Sequence, residues 1–337
     1  MDFFEIMLQQ KLAGEGGDIK VNSFSITENG TYTALPGHAF SPVNVSVPVG
    51  VFPSGTSSIT SNGIYNIADF ASVDVNVSDG DGGHDVEDGI ITRSISGTYT
   101  NSRVTSVENA AFQDCSALTT VNFPNVSYIG IYAFESCYSL TTISFPNASY
   151  IGNAAFQYCS ALTTASFPNT SYIGSYAFQS CSALTAISFP NTSYIGSYAF
   201  QSCFALTAVS FPNVTNIGSG AFYSCLSLTT VNFPNVTLIG SNAFYYCSRL
   251  TTVSFPNVTV IGGSAFYSCS RLASMYFLAT SVAKLSNANA FYNTPMSNST
   301  YTGSFGSIYV PASLVDSYRT AAKWSEYADR ITSYEGE

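Results

Sequence analysis

The chain has 337 residues, of which 9% are charged, and it carries a net charge of −10. An acid excess with no basic stripe excludes nucleic acid as a partner, because that needs Lys and Arg gathered on one face. No run approaches the ~18 apolar residues of a membrane span, and residues 1–12 lack the basic start and unbroken apolar stretch of a classical signal peptide.

In chain order, residues 1–20 predict a short amphipathic helix, with Phe3, Phe4, Ile6, Met7, Leu8 and Leu12 apolar, ended by a Gly-rich turn at 14–17. Two related β modules follow, at 21–50 and 51–78. Each holds an Asn-Gly pair (Asn29-Gly30, Asn62-Gly63) beside alternating runs such as Val43, Val45, Val47 and Val73, Val75, Val77. Asn-Gly is a strong hairpin signal because both residues accept positive φ. Residues 79–85 read as an acidic, Gly-rich linker. Residues 1–108 hold 13 acids against four bases, so most of the net charge sits there.

From residue 86 to 307 the chain predicts a solenoid. Its eight cysteines stand at 115, 137, 159, 181, 203, 225, 247 and 269, a strict 22-residue interval. Such a period means stacked copies of one small unit that share a continuous core. Phenylalanine columns start at Phe112 and Phe123, and a leucine column starts at Leu118. Leu-x-x-Val/Ile-x-Phe has the alternation of a short strand with one face buried. Proline (Pro124 to Pro256) ends each strand, because it lacks an N–H for the ladder. Gly130 to Gly262 then open an Ile/Val-anchored return. Residues 308–337 change to helical spacing after Pro311, with Leu314, Val315 and Tyr318 on one face, and predict a strand-plus-helix cap over the last coil.

The Leu-x-x-Val-x-Phe-Pro strand followed by Ile-Gly-x-x-Ala-Phe-x-x-Cys resembles the BspA-like leucine-rich repeat family over residues 86–334. The resemblance implies a curved, right-handed array with short parallel strands, used for adhesion and partner binding. The Ile-Thr-x-Asn-Gly-x-Tyr…Val-x-Val-x-Val pattern of the amino-terminal modules resembles a short module of phage and prophage tail-associated proteins. That likeness implies an attachment role for residues 1–85.

Equivalent cysteines of stacked coils point the same way, whereas a disulfide needs converging Cβ vectors ~3.8 Å apart; eight buried, reduced thiols are expected. Neither Cys-x-x-Cys pairs nor neighbouring His suggest a metal site. Asp79, Asp81 and Asp85 have partial calcium-loop spacing, but Gly83 and Ile90 stand where that loop wants acids, so a solvated linker is the plainer reading. His38 and His84 lack any nucleophile or orienting acid. No catalytic residue, metal site or cofactor is expected. Seven Asn-x-Ser/Thr triplets, from Asn125 to Asn257, repeat at 22 residues and point to a turn role in which Asn bonds its own backbone.

Two columns remain as binding candidates. Thr120, Thr142 and Thr164 point outward from the strands, where β-branched hydroxyl residues also serve plain solubility. Tyr128, Tyr150, Tyr172 and Tyr194 form one tyrosine column. Tyr176 and Tyr198 lie on the return, and later coils switch to Tyr223, Tyr245 and Tyr267. Tyrosine gives large contact area at low entropic cost. These residues predict a non-enzymatic binding protein, virion-borne on a phage tail or, alternatively, a bacterial cell-surface adhesin. Its array would meet a surface protein or glycan, and residues 1–85 would meet other tail or surface-assembly proteins.

Overall fold

A computed structural model describes residues 97–100, 104–297 and 305–335, with four two-residue strands upstream. Each coil contributes three tiers, and each tier hydrogen-bonds to its counterpart in the next coil. The first tier is the Leu-x-x-Val-x-Phe strand: Gly97–Thr100, Leu118–Asn122, Thr142–Ser144, Thr164–Ser166 and Ala186–Ser188 pair in parallel. A pair, Ala208–Ser210 with Thr230–Asn232, and a final group from Thr252–Phe255 continue this side.

The second tier is the return, which the sequence marks only as an Ile/Val anchor. It is an unbroken nine-stranded parallel sheet of two-residue strands, from Ser106–Val107 to Lys284–Leu285. The third tier is the Ala-Phe-x-x-Cys turn. Phe134 N–H donates to Ala155 O at 2.7 Å, Ser136 N–H to Gln157 O at 2.8 Å, and the pattern repeats along the array. Two residues per coil take left-handed φ there, for example Tyr132 at 57° and Ser136 at 60°.

The core is columnar. Phe112 to Phe266 stack ring on ring at 5.0–5.4 Å, and the Phe123 column tilts against them. Such pairs add about 0.5–1.5 kcal/mol each beyond area burial. All eight cysteines are buried and none is in a disulfide. Seven thiols donate to the carbonyl of the phenylalanine three residues before the preceding coil's cysteine, Cys181 Sγ to Phe156 O at 3.1 Å among them. Burial pushes the thiols of Cys181, Cys203, Cys225 and Cys247 well above their ordinary pKa.

The asparagine expectation is corrected. From Asn147 to Asn257, each side-chain amide donates to the proline carbonyl of the preceding coil at 2.7–2.9 Å rather than to its own backbone. Stacked coils lie about 4.8 Å apart, so the amide reaches its neighbour. The glycine column answers to space, not to φ. A Cβ on Gly174 would sit 2.6 Å from Asn153 N and from Gly152 C, both main-chain atoms.

The carboxyl-terminal cap carries less helix than its spacing predicts. Ser307–Pro311 adds a strand, Ala312–Leu314 is a 3₁₀ turn, and α1 is Val315–Thr320. The chain then turns extended at Ala321, so that Trp324 inserts edge-on against Phe277 (5.7 Å, 73°). A further strand missed in the sequence, Ile331–Tyr334, pairs in parallel with Ser307–Pro311. In the return sheet the next coil's N–H groups satisfy carbonyls of the coil before, as Ser286 N–H does Ile261 O (2.9 Å); at the last coil side chains do. Trp324 Nε1 donates to Ala283 O (2.6 Å), Lys323 Nζ to Leu285 O (3.1 Å) and Ser286 O (2.6 Å), and Tyr327 Oη to Ala288 O.

The expected helix at 2–12 and the linker at 79–85 lie outside the described residues. Of the two β modules, Tyr32–Thr33 pairs antiparallel with Ile64–Tyr65 and Val43–Asn44 with Ser58–Ile59, so pairing runs between the modules.

Candidate functional site

The candidate residues separate onto the three tiers. Thr120, Thr142 and Thr164 lie in register on the first tier, with Thr120 opposite Thr142 and Thr142 opposite Thr164. The threonine one place earlier is structural: Thr141 Oγ1 donates to Thr119 O (3.1 Å) and Thr163 Oγ1 to Thr141 O (3.0 Å). Alternation explains the division, since inward Val121 and Ile143 are buried and their neighbours face water.

Tyr128, Tyr150, Tyr172 and Tyr194 lie on the second tier and stack face to face at 4.9–5.2 Å with interplanar angles of 4–7°. The column ends at Asn216, which pairs with Tyr194. Burial raises the phenol pKa of Tyr128, Tyr150 and Tyr172, helped by Glu108 at Tyr128 and by neighbouring tyrosines at the others. They stay neutral at physiological pH. Because the rings cover one another's faces, the column offers edges and a row of hydroxyls, with no open platform inside the stack for a sugar ring.

Tyr176 and Tyr198 occupy the left-handed corner after the second tier, with φ of 61° and 57°, and stack at 5.3 Å. In the next coil the position is Gly220, whose Cβ would meet the Tyr198 ring at 2.2 Å. Glycine here gives the ring room.

Tyr223, Tyr245 and Tyr267 lie on the third tier, two residues before their cysteines, and stack at 4.7 Å. Tyr292 extends the column at 4.8 Å, beyond the strict 22-residue interval that would have revealed it. Earlier coils fill this position with Gln113, Glu135, Gln157, Gln179 and Gln201. There the amides bond from coil to coil, as Gln179 Nε2 does to Gln201 Oε1 (2.7 Å).

Sequence reasoning passed over large exposed residues flanking the cysteines, Tyr138, Phe204 and Leu226 one place after and Tyr158 one place before; Tyr246, among the later-coil tyrosines, also stands one place before its cysteine. Their signal was present. Each interrupts a column that is otherwise mostly serine. Asp114, Glu135, Arg249 and Arg271, the charged residues between 109 and 272, stand on this same tier.

Among the described residues, no group of three or more His, Cys, Asp or Glu could hold a metal ion, and no helix is long and apolar enough to cross a membrane.

No curated protein matches the chain. Among solved structures, it is similar to a leucine-rich cell surface protein from Faecalibacterium prausnitzii, at 20% identity over 70% of this chain and 76% of that one, with a TM-score of 0.35. A leucine-rich repeat protein from T. pallidum is 30% identical over 45% and 77% of the two chains (TM-score 0.41). Another from Bacteroides ovatus is 19% identical over 95% and 100% (TM-score 0.34). The family model for the BspA type leucine rich repeat region matches residues 92–203 and 193–312, which together span more than half of the sequence. The chain therefore belongs to the BspA-type leucine-rich repeat family.

Proposed function

We propose that this protein is a non-enzymatic, cell-surface binding protein whose array presents a neutral surface to a protein partner. The continuity of the buried columns carries this reading. Phenylalanine, leucine and cysteine side chains fill the inside of every coil from 112 to 272, so recognition falls to the outer face. That face is built of Thr, Ser, Asn and Tyr, with hydroxyls and aromatic edges rather than charge. Stacked tyrosines that hide their faces suit a protein surface better than a pyranose ring. Residues 1–85, with most of the acid excess, are proposed to join the array to other surface-assembly proteins. Family membership supports the adhesin reading, and attachment to a phage tail finds no support in it.

The test uses the labelled full chain on an array of purified surface proteins and glycans, at low salt and at 0.5 M, where the Debye length falls to about 4 Å. Protein hits that persist at high salt are expected. Hits confined to glycans, or lost at high salt, would overturn the proposed surface. Protease treatment of intact producing cells should also remove the chain; protection until lysis would refute the location.

A further inference from the structure

We infer that the cysteine-turn tier is a self-complementary surface that pairs two copies of this chain antiparallel. Let coils one to eight be those of Cys115 to Cys269. A two-fold axis lying in the contact plane, across the solenoid, brings this tier of one copy onto the same tier of the other. It reverses the order of coils but keeps each residue column facing itself. Coil one then meets coil eight, two meets seven, three meets six, and four meets five.

The charges select this register. Acids stand in coils one and two (Asp114, Glu135) and bases in coils seven and eight (Arg249, Arg271). Antiparallel pairing sets each acid on the coil that bears an arginine in the other copy; the acids stand one or two places before cysteine and the arginines two places after it, so the attraction acts across the strip rather than within one column. Asp114, Arg249 and Arg271 are exposed and Glu135 is half-exposed.

Bulk, which played no part in that choice, fits the same register. In the column after cysteine, Tyr138 faces Ser248, Leu226 faces Ser160, and Phe204 faces Ser182 of the other copy. In the column before cysteine, Tyr158 faces Ser224, and Tyr246 faces Ser136, a serine recessed to 7% exposure. All five large residues meet serine. Two places before cysteine, Gln113, Glu135 and Gln157 face Tyr267, Tyr245 and Tyr223, matching amide or carboxylate with phenol. A slip of one coil destroys the fit: one direction sets Tyr138 against Leu226, and the other sets Tyr158 against Tyr246 and Phe204 against its own copy.

The tier suits such a contact physically. Its backbone is laddered coil to coil, so the surface is preorganised. Tyr138, Tyr158, Phe204, Leu226 and Tyr246 are 41–51% exposed, an apolar population that an unpaired surface seldom gathers on one face. At about 4.8 Å per coil the strip is on the order of 40 Å long. That places the contact near the low end of specific interfaces, with a Kd between about 1 and 100 μM.

Sedimentation of the full chain over that concentration range should show a monomer–dimer equilibrium. Arg249→Glu with Arg271→Glu, and separately Asp114→Arg with Glu135→Arg, should each weaken the homodimer about 10-fold through like-charge repulsion across the strip. Mixing the two variants restores opposite charges at every site and should restore a dimer, now mixed. Leu226→Glu, at an exposed position, should also abolish association while far-UV circular dichroism stays unchanged. A chain monomeric at about 100 μM, charge variants that dimerise as tightly as the parent, or a mixture no tighter than the variants alone would each overturn the proposal.

Discussion

Gly262 and Gly263 are neighbours in sequence, neither has positive φ, and the stacking geometry assigns them unequal responses to alanine. A Cβ on Gly262 would lie 2.3 Å from Ser241 N and 2.4 Å from Gly240 C, main-chain atoms that have no side chain to swing away. Restoring ordinary contact near 3.5 Å means separating the coils by about 1 Å. The Gly262 N–H to Ile239 O bond, now 2.7 Å, would stretch past hydrogen-bonding range. Overpacking costs about 1–3 kcal/mol and the lost bond about 1 more. Against this, alanine reduces unfolded-chain entropy and returns only about 0.4–1 kcal/mol, so contact wins and Gly262→Ala should destabilise by about 1–3.5 kcal/mol. At Gly263 the nearest atom to a Cβ is Asn287 Cβ at 3.2 Å, a carbon–carbon contact only a few tenths of an ångström short of ordinary packing. There the small steric cost and the entropy gain nearly cancel, so Gly263→Ala should stay within about 1 kcal/mol of the parent. Urea unfolding followed by circular dichroism measures both. Because repeats couple to their neighbours, Gly262→Ala should also broaden the transition as the array splits there. Equal midpoints for the two variants would refute the close-approach account.

Three further outcomes follow from the core and the cap. Burial raises the thiols of Cys137, Cys159, Cys181, Cys203, Cys225 and Cys247, and their ordinary value is 9.0. Above that pH the unfolded chain releases protons that the folded chain retains, so stability is full below about pH 9 and falls as pH rises, by up to about 1.4 kcal/mol per pH unit for each thiol. Denaturant midpoints should drop between about pH 8.5 and 10, and iodoacetamide should label the thiols only in denaturant; a flat profile or labelling of the folded protein would contradict the buried column. Trp324→Ala removes the donor to Ala283 O, the edge contact with Phe277 and the tilted contact with Phe291, and should cost about 3–5 kcal/mol. Deleting 308–337 also bares the Ser274–Phe277 strand and should cause aggregation, so a soluble monomer with unchanged melting would disprove the cap's role.

Much of this protein was legible in its sequence, because in a solenoid the period is the fold. Once Cys, Leu and Phe recur every 22 residues, equivalent residues must stack, and the buried columns, the strand ending at proline and the terminal cap follow. The tyrosine columns could be read the same way. Their physical character could not, because stacking at 4.7–5.3 Å, which turns ring faces inward, is a relation between coils. For the same reason the asparagine bond to the preceding proline and the space-driven glycine column were hidden: in one repeat, Asn looks like a turn former and Gly like a source of positive φ. The second sheet was hidden because two-residue strands such as Tyr172–Ile173 carry no alternation to detect. Tertiary structure also divided the candidate site. Thr120, Tyr128 and Tyr223 belong to three different tiers, and only the path of each coil decides which residues share a face. Sequence fixes what repeats along the axis, and folding decides what lies side by side around it.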